Sequence, residues 1–261
     1  MSAPLPPPYD LRPRLDRLLA QMRAHDDRDW GWRPVVVPCG TLVVLIVLSQ
    51  VVSHVMHPST LTGALLATLA LSIVLYGTLI VAIARSARDL ARRYAGWGWT
   101  FGLQRPVWMD GAWLSAGVGM VLVSRLLVVL FANAVTGGKA AEQSQNLTVD
   151  DLSATGYVVL GVLVVLVAPV VEELVFRGLL LRTMMWHWGF WPAALVSSAI
   201  FALFHVYQVD TLAGAATLAG VVFTLGLTNC LLVRWSGRLA AGMMVHALFN
   251  GLAVLVLALR A

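Results

Sequence analysis

Seven stretches of this chain, each close to 20 residues long and almost free of charge, are separated by short polar connections: 35–57, 61–84, 112–135, 155–176, 191–209, 211–233 and 239–259. About 20 apolar residues in helical form cover a hydrocarbon core of roughly 30 Å. Lipid offers no water to backbone N–H and C=O groups, so a spanning segment of that length has to satisfy them within itself, as an α-helix. Composition agrees: 12% of the 261 residues are charged and 59% are hydrophobic, against roughly 25% charged in soluble domains, and mean hydropathy is +0.81. The expected fold class is all-α, a polytopic integral membrane protein with about seven transmembrane helices. A long charged segment precedes the first stretch and no small-residue cleavage site follows it, so it reads as a retained helix and not as a signal peptide. Three regions result: a tail at 1–34, three spans in 35–153 and four in 154–261.

The loops defined by these spans divide the 18 basic residues unevenly. One set of alternate loops receives 15 of them, among them Arg85, Arg92, Arg93, Arg177, Arg182, Arg234 and Arg238, while the other receives Lys139 and Arg260, and Arg125 lies inside a span. By the positive-inside rule the N-terminus is cytoplasmic. All ten tryptophans fall on or beside the same segments, as an interfacial belt would. The formal net charge of +5 then reflects topology and attraction to an anionic lipid bilayer, and no nucleic-acid partner is read into it. Arginine outnumbers lysine 17 to 1, which suggests a GC-rich genome and a bacterial plasma membrane. Leu11, Leu15, Leu18, Leu19 and Met22 recur at helical spacing in the tail, predicting a basic amphipathic helix on the cytoplasmic surface. "TGGKAAEQSQNLTVDDLSATG" reads as a flexible connector outside, and its Asn146-Leu-Thr148 sequon is a pattern common by chance. Cys39 and Cys230 sit in apolar runs and count as small buried hydrophobes, with no disulfide framework.

Against this background the polar residues inside the spans stand out. Of 13 acidic residues, Glu172 and Glu173 alone fall within or at the edge of a span, where a carboxylate costs several kcal/mol unless paired or protonated. His205, His246 and Asn250 are similarly polar in apolar helices. Arg125 and His54 can be accommodated by snorkelling or by an interhelical hydrogen bond, and are left off the site. Glu173 and Arg177, four apart, share a helical face and can pair, whereas Glu172 is rotated by about 100° and points elsewhere. His246 and Asn250 are also four apart, and Phe201 and His205 repeat the spacing, so a ring can pack beneath that histidine.

"EELVFRGLLL", "FALFH" and "HALFN", in this order and in separate spans, resemble the three signature motifs of the CPBP intramembrane protease family, which includes type II CAAX prenyl endopeptidases and the bacterial Abi, or bacteriocin-processing, proteins. The resemblance covers roughly residues 154–259 and makes 154–261 a catalytic transmembrane core. It implies that Glu172 is the general base for a water molecule, that His205 helps hold that water, that His246 and Asn250 polarise the scissile carbonyl, and that Glu173 and Arg177, with Phe201 packed beneath, hold the site together. An activated water and donors aimed at developing negative charge are what peptide hydrolysis needs. An alternative arrangement makes Glu172, His205 and His246 the ligands of a Zn²⁺ whose fourth position carries the water; metal-dependent and metal-independent forms both stay open. The implied partner is a membrane-associated peptide or protein substrate.

Other intramembrane protease chemistries lack their motifs: there is no HExxH, no Gly-x-Ser-Gly and no aspartate pair within spans. The competing classes are a proton-coupled transporter using Glu172, His205 and His246 as a relay and a non-catalytic membrane scaffold. On ideal helices of 1.5 Å rise, Glu172 lies near the cytoplasmic edge, His246 about 10 Å in and His205 about 20 Å in. A shared site then requires tilted helices or an interfacial "RTMMWHWGFWP" segment that adjusts the depth of the fifth span.

Overall fold

The helices of a computed structural model cover most of the chain; residues 14–26, 30–55, 61–94, 96–137, 154–206, 209 and 211–259 are described. Asn146 and Lys139, assigned to the outside connector, and Arg260 lie outside them. In chain order the elements are α1 (Arg14–His25), α2 (Arg33–Val55), α3 (Leu61–Arg93), the short α4 (Gly96–Phe101), α5 (Met109–Thr136), α6 (154–188), α7 (Phe190–Leu203), α8 (Leu212–Ser236) and α9 (Ala240–Ala258). There is no strand among the described residues. The protein is an all-α polytopic membrane protein. Five helices are long and apolar enough to cross a bilayer, at 33–52, 69–93, 109–136, 155–188 and 212–236. The fifth and seventh expected spans are shorter apolar helices, Phe190–Leu203 and Ala240–Val256; fourteen residues rise about 21 Å, less than the ~30 Å core.

α8 is the central helix, packed against α5, α7, α9 and α1. Its buried residues run from Gly214 to Ser236 and include Thr228 and Asn229, while Leu122, Val123, Leu126, Leu127 and Phe131 on α5 face outward. Polar groups inside and leucines outside is the polarity expected where the surrounding solvent is hydrocarbon. Where α7 packs against α8, residue 226 has little room for a side chain: a Cβ there would come 3.0 Å from Arg177 Nη2 and 3.2 Å from the Ser198 Cα.

Two expectations change. The fourth span does not stop at 176 but continues as helix to Trp188, so Arg177 and Arg182, counted above among loop residues, are fully buried. Arg182 donates to the carbonyls of Thr100 at 3.3 Å and Gly237 at 3.0 Å, closing two chain ends whose carbonyls lack helical partners. Gly102, at φ +81°, keeps the path open, since a Cβ there would lie 2.5 Å from that guanidinium. The predicted amphipathic helix exists as α1, but Leu15, Leu19 and Met22 are buried against the bundle end instead of entering lipid. Asp16 pairs with Arg234 at 3.0 Å, and Arg23 donates to the carbonyls of Met185 and Trp186 with its guanidinium over the Trp186 ring. A 12-residue helix is marginal alone, and these contacts hold it.

Tryptophans gather at the same end: Trp30 stacks on Tyr94 and lies 5.3 Å from Trp186, and Trp113 stacks on Trp235 at 5.9 Å. Gly226→Ala is expected to lower the thermal midpoint of the detergent-solubilised protein, equivalent to about 1–3 kcal/mol of overpacking. Gly119→Ala, where a Cβ meets nothing within 4 Å, should leave it within about 0.5 kcal/mol.

Candidate active site

The continuation of α6 to 188 removes the depth conflict. α6 and α7 form a hairpin about Gly189, whose φ of +77° turns the chain; Glu172 lies 17 residues before this glycine and His205 16 after it, so the two meet at the same level. The second hairpin turns at Gly237, and Asn229 lies eight residues before it and His246 nine after. Arg182 fixes the level of this turn through its bond to Gly237, and Glu173 is nine residues before Arg182. Glu172 and Glu173 on α6, His205 at the end of α7, Asn229 on α8 and His246 on α9 therefore converge.

Glu173 is the anchor. Its side chain is 0% exposed, and a single oxygen, Oε1, accepts from Arg177 Nη1 at 3.0 Å, Asn229 Nδ2 at 2.9 Å and His246 Nδ1 at 3.1 Å. Phe201 fills the space beneath: Arg177 sits over its ring at 4.3 Å, and the rings of His205 and His246 meet it edge-on at 4.7 and 5.5 Å. Glu172, one residue earlier, points to another face and is 22% exposed; its Oε2 lies 3.9 Å from His205 Nε2 and 3.7 Å from His246 Nε2. That oxygen is buried and has no hydrogen-bond partner.

The imidazole tautomers follow from the partners. Nδ1 of His205 faces the Phe201 carbonyl at 2.8 Å, which can only accept, so Nδ1 carries the hydrogen. Nδ1 of His246 faces the Glu173 carboxylate in the same way. In the neutral ring the other nitrogen is then a bare lone pair. Three acceptors, Glu172 Oε2 and the two Nε2 atoms, border one space with no donor among them. Such a space is suited to a group that brings hydrogens or positive charge. A zinc ion bound at ~2.0–2.1 Å sets its ligand atoms about 3.3 Å apart. The observed separations from Glu172 are wider, and among the described residues no group of three or more His, Cys, Asp or Glu is arranged to hold a metal ion. As spaced, Glu172, His205 and His246 do not form a zinc site.

Asn250 lies one turn beyond His246, and its Nδ2 donates to the Val164 carbonyl at 2.8 Å. Arg125 is exposed on α5, its guanidinium 5.5 Å over Phe249. Asn229 was missed from the sequence, although an amide in an apolar helix is the signal that selected His205 and His246.

Residues 154–252 match the family model described as type II CAAX prenyl endopeptidase Rce1-like, in agreement with the resemblance drawn from the three motifs, all of which lie within the match. No curated protein and no solved structure matches the chain.

Arg177→Met leaves the buried Glu173 carboxylate without its cation and should cost about 3–5 kcal/mol. Asn229→Leu removes one neutral donor and should cost about 1–3 kcal/mol. Thermal or denaturant unfolding of the purified variants in detergent measures both, and an Arg177 variant less costly than the Asn229 variant would contradict the anchor role of Glu173.

Proposed function

We propose that the protein is an intramembrane endopeptidase that hydrolyses a peptide bond of a membrane-associated peptide or protein, with Glu172 as the general base. The observation that carries this reading is Glu172 Oε2: buried, without a hydrogen-bond donor, and between two imidazole Nε2 atoms at 3.7 and 3.9 Å. A water in this space donates one hydrogen to Glu172 and the other to His205 Nε2, leaving its lone pair free to attack. As the water oxygen bonds to the carbonyl carbon, its proton passes to Glu172 and the carbonyl π electrons move onto oxygen. His246 takes up a proton from solvent at Nε2 as the substrate binds, donates it in a hydrogen bond to that oxyanion with the Glu173 carboxylate holding Nδ1 and supplying the counter-charge, and returns it to solvent as the products leave. Collapse of the intermediate breaks the C–N bond, and Glu172 returns the proton to the leaving amine, so that one carboxylic end and one amino end result.

Glu173, Arg177, Asn229 and Phe201 act as positioning residues. Complete burial keeps Glu173 from replacing its neighbour as base, while the 22% exposure of Glu172 and 20% of His205 give the working face its access. The domain reading follows: residues 154–261 carry the chemistry, 35–153 support it, chiefly through α5 against α8 and α9, and the tail at 1–34 contributes α1. The N-terminal face is proposed as cytoplasmic, on the excess of arginine there. The client is proposed to be a bacterial membrane peptide or protein.

In purified protein reconstituted into liposomes with a library of membrane peptides, new termini detected by mass spectrometry should depend on Glu172. Glu172→Gln is expected to lower the cleavage rate at least about 100-fold without lowering the thermal midpoint, and His205→Ala to lower the rate at least as far. Undiminished cleavage by the Glu172 variant ends this reading, and Glu172-dependent proton flux with no new termini would assign the site to transport.

A further inference from the structure

We propose that Asn250 is a positioning residue that holds the register of α6 through one of the two hydrogens of its side-chain amide. This assignment rests on the reading of Glu172 as the base. The argument begins with Pro169. A proline in a helix interior lacks the N–H for its own turn, and its ring collides with the carbonyl four residues back, here Val165. α6 avoids the collision by widening: 162–167 is π-helical, and the Ala168 N–H bonds to the Leu163 carbonyl five residues back. The next bond of that series would run from residue 169 to the Val164 carbonyl, and residue 169 has no hydrogen to give. Val164 is therefore left with an acceptor that its own helix cannot satisfy. Asn250 Nδ2 donates to it at 2.8 Å.

That bond has a consequence eight residues along. A π turn accommodates one extra residue, so its presence or loss rotates everything beyond it by about 100°. The segment beyond it carries Glu172 and Glu173, which must point in two set directions, one to the two Nε2 atoms and the other to Arg177, Asn229 and His246. α9 thus grips α6 at two points, by His246 on Glu173 and by Asn250 on Val164, and the second grip keeps the wide turn wide. One hydrogen of the Asn250 amide is directed at the backbone of α6, and the second is not used by that bond.

Restoring the missing backbone N–H tests this directly. Asn250→Ala should lower kcat at least tenfold at unchanged KM. In Pro169→Ala/Asn250→Ala, residue 169 supplies its own donor and kcat should return to within threefold of Pro169→Ala alone. Pro169→Val, which also supplies an N–H, gives the same comparison should the alanine variant fold poorly. The thermal cycle is repeated in the Glu172→Gln background, where no chemistry intervenes. There Asn250→Ala should lower the midpoint by about 2–4 °C with proline at 169 and by less than 1 °C with alanine or valine. A double variant as slow as Asn250→Ala, or equal midpoint losses at both residues, overturns the proposal. The thermal arm decides on the bond even if no hydrolysis is found for the unaltered protein, which separates failure of this assignment from failure of the protease reading.

Discussion

The arrangement depends on one buried carboxylate oxygen. Glu173 Oε1 gathers a guanidinium, an amide and an imidazole from its own helix, α8 and α9 within 2.9–3.1 Å. In a bundle whose surroundings are hydrocarbon, apolar packing does little to distinguish one helix register from another, because a leucine is as well solvated by lipid as by a neighbouring helix. An ion is different. Its desolvation costs several kcal/mol unless every donor arrives, so the three helices are held to the relative depths at which Arg177, Asn229 and His246 all reach one atom. Arg182, peg-like at the bundle end, sets the same depths through Thr100 and Gly237.

α6 carries a second departure from regular structure, the π-helical segments 162–167 and 174–180 on either side of Ala168–Glu173. Wide turns are rare and poorly packed when isolated, and each leaves the helix with a bonding pattern that neighbours must complete. The first is explained by Pro169 and by the Asn250 bond to Val164. The second holds Arg177 and Gly178, and within it Arg177 faces back to Glu173. Between them lies a single α-helical turn and a half, and both glutamates are in it.

The reach of sequence reasoning followed the physics of each signal. Length and apolarity locate spans well because bilayer thickness imposes them, so α2, α5 and α8 fall close to the expected windows, while α3 runs nine residues past its own to Arg93. Charge misled at Arg177 and Arg182: hydropathy treats an arginine as a span's end, whereas here Arg177 pairs with Glu173, Arg182 donates to two carbonyls and the helix runs on. The same error placed Glu172 at the membrane edge and created the apparent depth conflict with His205. Glu173 with Arg177, and Phe201 beneath His205, were legible because both are i,i+4 relations within one helix. For Asn229 the polarity in an apolar helix was visible but the partner was not, since Glu173 is 56 residues away and α8 offers no polar neighbour at helical spacing that points to it. The outcome for α1 was hidden for a related reason, because an amphipathic face does not say whether lipid or protein covers it.

Adjacent carboxylates in an apolar helix look at first like a repulsive pair, yet a 100° rotation per residue assigns them opposite surroundings. Glu173 receives three donors and is inaccessible; Glu172 receives none, and the nearest polar atoms to its free oxygen are two nitrogens whose hydrogens are committed to Phe201 and Glu173 on the far sides of their rings. The bonds to Glu173 Oε1 thus shape the surroundings of Glu172: by fixing the hydrogen of His246 on Nδ1, Glu173 turns Nε2 into an acceptor toward Glu172. A space bounded by acceptors alone has a strong affinity for a molecule that donates two hydrogens and retains a lone pair, and water is the smallest such molecule. Three or four positions apart the two carboxylates would share a face and its partners; as a consecutive pair they do not, and the doubled charge is tolerable.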